Sequence, residues 1–150
     1  MSRIRKFGVM FAFACALGGA SRAAETDDLD GLRGRVVYLD FWASWCEPCR
    51  HSFPWMQRMQ QGYEGRGLTI IAVNLDRERA DAEVFLRKFK PDFSIRFDPE
   101  GTLAERFQVR GMPTSILIDR HGVARFTRVG FRPADESEYV RRIEDLLTEQ

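Results

Sequence analysis

An apolar run, Val36-Val37-Tyr38-Leu39-Asp40-Phe41-Trp42-Ala43-Ser44-Trp45, ends directly on Cys46-Glu47-Pro48-Cys49. Its first part, Val36 to Phe41, is β-branched and aromatic and reads as a strand. A helix reads from 47 to 62, with Phe53, Met56, Met59 and Tyr63 spaced three and four apart on one face. Two cysteines therefore sit where a buried strand hands over to a helix. A helix N-terminus offers unpaired N–H groups and the positive end of the dipole, which favour a thiolate. Thiolate is the form that attacks disulfides. The second cysteine lies one turn on, within reach of a small disulfide ring. Such a ring closes almost no chain, so it is a poor structural staple and reads as a redox switch.

The following elements complete the pattern. Pro54 falls inside the first helix, where it removes a donor and predicts a kink. Leu68 to Leu75 is a second apolar strand, so strand, helix and strand form a parallel, right-handed βαβ unit. A helix is expected over 80–89, stopped by Pro91, then a short strand over 94–97 and a short helix over 101–107. Strands over 114–118 and 123–129 flank Asp119-Arg120-His121-Gly122 and predict an antiparallel hairpin. A last helix reads from 134 to 148, with Tyr139, Ile143, Leu146 and Leu147 on its core side. The whole is α/β: a mixed central sheet flanked by helices on both faces.

The first residues read differently. Arg3, Arg5 and Lys6 precede an apolar stretch, Phe7–Ala20, and then small residues at Ser21-Arg22-Ala23. Residues 1–23 have the layout of a secretory signal peptide, or, uncleaved, of an anchor. Residues 24–34 are an acidic leader, and 35–150 the domain. Cys15 falls in the segment to be removed. Removal takes four basic and no acidic residues from a 150-residue chain of net charge +1, leaving a slightly acidic domain without a basic patch. Nucleic acid is thus not an expected partner. Export to an oxidising compartment suits a disulfide.

Together with the distant Val109-Arg110-Gly111-Met112-Pro113-Thr114, the segment Asp40-Phe41-Trp42-Ala43-Ser44-Trp45-Cys46-Glu47-Pro48-Cys49 resembles the thioredoxin superfamily. The closer likeness is to its exported TlpA-like and ResA-like thiol–disulfide oxidoreductases, with 76–107 resembling their central αβ insertion. The resemblance implies a thioredoxin-like fold and a protein-disulfide reductase acting in the periplasm or from the outer face of the inner membrane. It implies Cys46 as nucleophile, Cys49 as buried resolving thiol, and no cofactor beyond the Cys46–Cys49 disulfide. Pro113 matches a cis-proline loop that would set the Met112 backbone beside Cys46 to pair with an extended substrate segment. Trp45 would contact substrate. Protein disulfides in cytochrome c maturation or metal-site assembly are the implied substrates, and a membrane electron donor the implied partner. A monomer is expected.

Asp40 interrupts an apolar strand and has two readings: an Asp at a wet strand end, or a buried proton acceptor for Cys49 with a raised pKa. It matches the buried acid of thioredoxins proper. TlpA-like proteins often carry a Glu three residues after the second cysteine, where this chain has Ser52. Ala72 stands where thioredoxins place a Lys near that acid. Between the cysteines, Pro48 suits a first helical turn. Glu47 suits the dipole but opposes thiolate formation at Cys46.

Other chemistries fit less well. Haem attachment needs His directly after the second cysteine, and Arg50 intervenes before His51. Zinc needs about four ligands. A copper carrier would use Cys46, Cys49 and His121, although its usual spacing has three residues between the cysteines. A thiol peroxidase would place Pro and Thr ahead of Cys46, which this chain lacks.

Overall fold

The computed structural model describes residues 29–149. The signal-peptide or anchor segment, Cys15 and the first part of the leader lie outside the described residues. Five strands form one sheet in the order β3-β2-β1-β4-β5: β1 (Val36–Trp42), β2 (Leu68–Asn74), β3 (Ser94–Phe97), β4 (Thr114–Ile118) and β5 (Ala124–Val129). β1 pairs in parallel with β2, and β2 with β3. β1–β4 and β4–β5 are antiparallel. The helices are α1 (Glu47–Tyr63), α2 (Arg79–Phe89), α3 (Thr102–Arg106) and α4 (Glu136–Thr148). α1 runs as one helix through Pro54, continuing to Tyr63.

Alternation along β1 divides the core in two. Val36, Tyr38 and Trp42 face α1, α2 and α4; Val37, Leu39 and Phe41 face the other side. There α3 supplies Ala104, and the end of the leader packs Leu29 and Leu32. Packed structure thus begins ahead of residue 35, because these two leucines cover apolar sheet that α3 is too short to cover. Strands β1 and β2 are buried along nearly their whole length, as strands covered on both faces must be.

Two aromatic groups fill the α1 side. Trp42 packs on Phe53 and Phe85 of α1 and α2. Tyr38 packs on Trp55 of α1 and Tyr139 of α4. Trp55 falls outside the apolar stripe read from spacing, yet it is fully buried because α4 and Phe131 close over it. Gln60 is also buried, and its Oε1 accepts from the Ile70 N–H at 2.9 Å. That N–H belongs to β2 just before β3 begins to pair at Ile71, so a side chain serves where no strand does.

Candidate active site

Cys46 is the N-cap of α1 and has extended backbone, with Glu47 and Pro48 in the first turn. Its sulfur accepts from the Cys49 N–H at 3.3 Å, so the helix terminus spends one of its free donors on this atom. Sγ of Cys46 is bonded to Sγ of Cys49, with the Cα atoms 5.3 Å apart. Cys46 keeps 4% of its surface in solvent and Cys49 none. Both cysteines are thus buried in the disulfide form, Cys46 slightly the less so, rather than Cys46 standing exposed. Trp45 beside it is 71% exposed.

The loop before Cys46 is pinned to the end of β2. Asp76, itself buried, accepts from the Ser44 N–H at 2.9 Å and from the Ser44 hydroxyl at 3.0 Å. Asn74 Nδ2 donates to the same carboxylate at 2.7 Å. Glu47 pairs with Arg50 at 3.0 Å, so the anion next to Cys46 is matched by a cation one turn on. Arg50, Ser44 and the α2 residues Asp81, Val84, Phe85 and Lys88 line a cleft of about 280 Å³ alongside. The spacing of the cysteines announced neither the bracing of Ser44 by Asp76, 32 positions away, nor the cleft against α2.

The Met112–Pro113 bond is cis, as the resemblance implies. Thr114, the next residue, pairs with Phe41, so this loop lies at the same end of β1 as the cysteines. Met112 packs against the cluster that contains Cys46 and Cys49.

Asp40 is not at a wet strand end. It is fully buried on the α1 face, between Tyr38, which packs on Trp55, and Trp42, which packs on Phe53. Cys49 lies one turn ahead of Phe53 in the same cluster. Opposite Asp40 in the sheet stand Ala72 and Ser115. Burial pushes the Asp40 carboxyl up to about 7, against a hydrogen bond from Ser115 that lowers it. Ser52, on α1, is buried and donates to the Cys49 carbonyl at 3.1 Å. Ser115 carries no comparable signal in the sequence, since it follows Thr114 at the polar start of β4, ahead of Ile116–Ile118.

His121 lies elsewhere. β4 runs antiparallel to β1, so the β4–β5 turn is at the far end of the sheet from Cys46. Cys46, Cys49 and His121 are therefore not brought together as a copper site. Among the described residues no cluster of three or more His, Cys, Asp or Glu side chains is placed to hold a metal ion. Nor is any helix there long and apolar enough to cross a membrane.

Fold and site together define a class: thioredoxin-fold thiol–disulfide oxidoreductases, with a capped, nearly covered cysteine bonded to a buried one. The chain belongs to the Redoxin family, whose model matches residues 14–143. It is 32% identical over 116 residues to the thiol-disulfide oxidoreductase ResA of Geobacillus thermodenitrificans, covering 73% of this chain and 67% of the relative. With ResA of Bacillus subtilis it shares 30% over 95 residues, covering 63% of this chain and 53% of the relative. The chain thus spans between half and two thirds of the length of these curated relatives. A crystal structure of a putative thiol:disulfide interchange protein DsbE from Chlorobium tepidum superimposes with a TM-score of 0.78 at 50% identity, covering 79% of this chain and 84% of that one.

Proposed function

We propose that this protein is an exported disulfide reductase that delivers two electrons from Cys46 and Cys49 to disulfides of other exported proteins. The carrying observation is the pairing of a helix-capped Cys46 with a fully buried Cys49 on the face that holds Asp40. The Cys46 thiolate attacks one sulfur of the substrate disulfide and expels the other as a thiolate. Cys49 then gives its proton to Asp40 and attacks Cys46 Sγ. The Cys46–Cys49 bond forms and the second substrate thiolate leaves. The substrate ends reduced by two electrons and the protein oxidised.

An extended substrate segment would pair with the Met112 backbone beside Pro113, while Trp45 and the cleft along α2 receive its flanks. Glu47 and Pro48 set the first turn of the helix that carries the reactive sulfur. A membrane donor would return the electrons, since no reductant pool is assured outside the cytosol. Apocytochrome c and metal-site assembly proteins are the substrates that the family resemblance suggests. The reducing direction rests on the likeness to TlpA-like and ResA-like proteins.

The test is the reduction potential of the pair, read by Trp fluorescence in graded thiol/disulfide buffers. A value of about −250 mV or lower, near that of thioredoxin, supports a reductant. A value of about −120 to −180 mV, in the range of strong oxidants and isomerases, overturns the direction.

A further inference from the structure

Asp40 has one oxygen in use and one not. Oδ1 accepts from the Ser115 hydroxyl at 2.8 Å, and Ser115 Oγ accepts from the Tyr38 hydroxyl at 2.8 Å. Oδ2 is buried and has no hydrogen-bond partner among the described residues. With Asp40 ionised, the direction of this chain is forced. An ionised carboxylate only accepts, so Ser115 donates to it. A hydroxyl has a single hydrogen, so Tyr38 must supply the bond to Ser115. Tyr38 and Ser115 are both buried, so neither hydroxyl has water to turn to.

We propose that Ser115 is a positioning residue for the exchange reaction: steadied by Tyr38, it keeps Oδ1 of Asp40 as a permanent acceptor and reserves Oδ2 as the atom that takes and returns the Cys49 proton. The proposal rests on the reading of Asp40 as that proton's acceptor. Oδ1 accepts from Ser115 whether or not Oδ2 carries a proton. Proton transfer then requires no hydroxyl to rotate in a packed core, which is preorganisation of the kind that costs nothing at the moment of reaction. Register makes the arrangement possible: Asp40 and Ser115 are direct partners across β1 and β4, with side chains on one face.

Tyr38 on β1 and Tyr139 on α4 interact electrostatically with Asp40, Ser115 on β4 and Ala72 on β2 stand opposite it in the sheet, and the apolar cluster on that face includes the cysteine pair at the head of α1. Of these, Tyr38 and Tyr139 titrate well above neutrality, both raised chiefly by burial. A transition near neutral pH in the Asp40 carboxyl signal of the oxidised protein, whose cysteines are bonded, is therefore that of Asp40 and of none of these neighbours.

Two titrations test this. One follows the side-chain carboxyl of Asp40 by carbon NMR in the oxidised protein, assigned with Asp40→Asn. The other follows the pH dependence of the step in which Cys49 resolves a mixed disulfide preformed at Cys46. Ser115→Ala should raise both midpoints by about one pH unit, because the charged carboxylate loses its donor. Ser115→Thr should restore them, and Tyr38→Phe should shift them upward by less. Midpoints unmoved in Ser115→Ala, even with a slower reaction, overturn the proposal and leave the reading of Asp40 standing. If Ser115→Ala does not fold, an unmoved midpoint in Tyr38→Phe overturns it equally. If instead Asp40→Asn leaves the resolution profile unchanged, Asp40 is not the acceptor and both readings fall.

Discussion

Asp76 accepts two hydrogen bonds from Ser44, one from its backbone N–H at 2.9 Å and one from its hydroxyl at 3.0 Å. Ser44 is two positions ahead of Cys46. A carboxylate at the end of β2 thereby holds the turn from which the reactive cysteine enters α1.

Asp76→Ala leaves three buried or half-buried donors without an acceptor, two on Ser44 and one on Asn74. The expected cost is about 2–4 kcal/mol of stability, from denaturant unfolding of the oxidised protein. Slower reaction of reduced Cys46 with a small aromatic disulfide should accompany it, since the N-cap geometry depends on the same turn. Asp76→Asn keeps one acceptor and should lose less of both.

Asp40 also leaves its mark on stability. Its carboxyl is raised from 3.8 to about 7 by burial, so the folded state prefers the neutral form. A raised acid stabilises the fold fully below the unfolded pKa, and that contribution is lost as pH rises towards and through 7. Asp40→Asn cannot ionise. It should therefore be more stable than the native protein at pH 8.5, by up to about 4 kcal/mol, and the difference should vanish near pH 4. Thermal or denaturant unfolding across that range checks the sign. A variant less stable than native at pH 8.5 contradicts it.

Gln60→Met conserves volume and removes the acceptor of the Ile70 N–H. An orphaned buried N–H should cost about 1–3 kcal/mol. Amide hydrogen exchange should show faster exchange at Ile70 than at Ile71 and Val73, which keep their sheet partners.

Asp119 has the opposite sense to Asp40. Partial burial raises its carboxyl, but the Val123 and His121 N–H groups and Arg125 outweigh this and hold it below the usual range. A depressed acid adds stability above its unfolded pKa of about 3.9, lost as pH falls through the folded value. Asp119→Ala should lower the melting temperature at pH 7, with the gap to the native protein closing below about pH 4. A gap that persists at pH 2.5 would assign the loss to packing instead.

Much of this architecture is written locally. Tyr63 ends α1 shortly before Gly67, whose φ of 104° suits glycine, and Pro91 follows α2. The strands β1, β2 and β4 stand out as β-branched or apolar runs. The placement of Cys46 at the head of α1 is equally local, because cap, Pro48 and dipole all fall within one turn. Breakers, periodicity and capping act over a few residues, so they survive in a string of letters.

What the string does not carry is which side of the sheet a polar residue faces and what meets it there. Asp40 read alone fits either a wet strand end or a buried acid. Pairing with Ser115, 75 positions away, and cover by α1 made it a buried acid with one idle oxygen. The bracing of Ser44 by Asp76 and of Ile70 by Gln60, the burial of Trp55 and the separation of His121 from the cysteines have the same origin. By itself the sequence determined that a cysteine pair caps a helix behind a buried strand. Only the tertiary structure decided the environment of that pair, because burial and long-range register depend on elements that meet after the chain has folded back on itself.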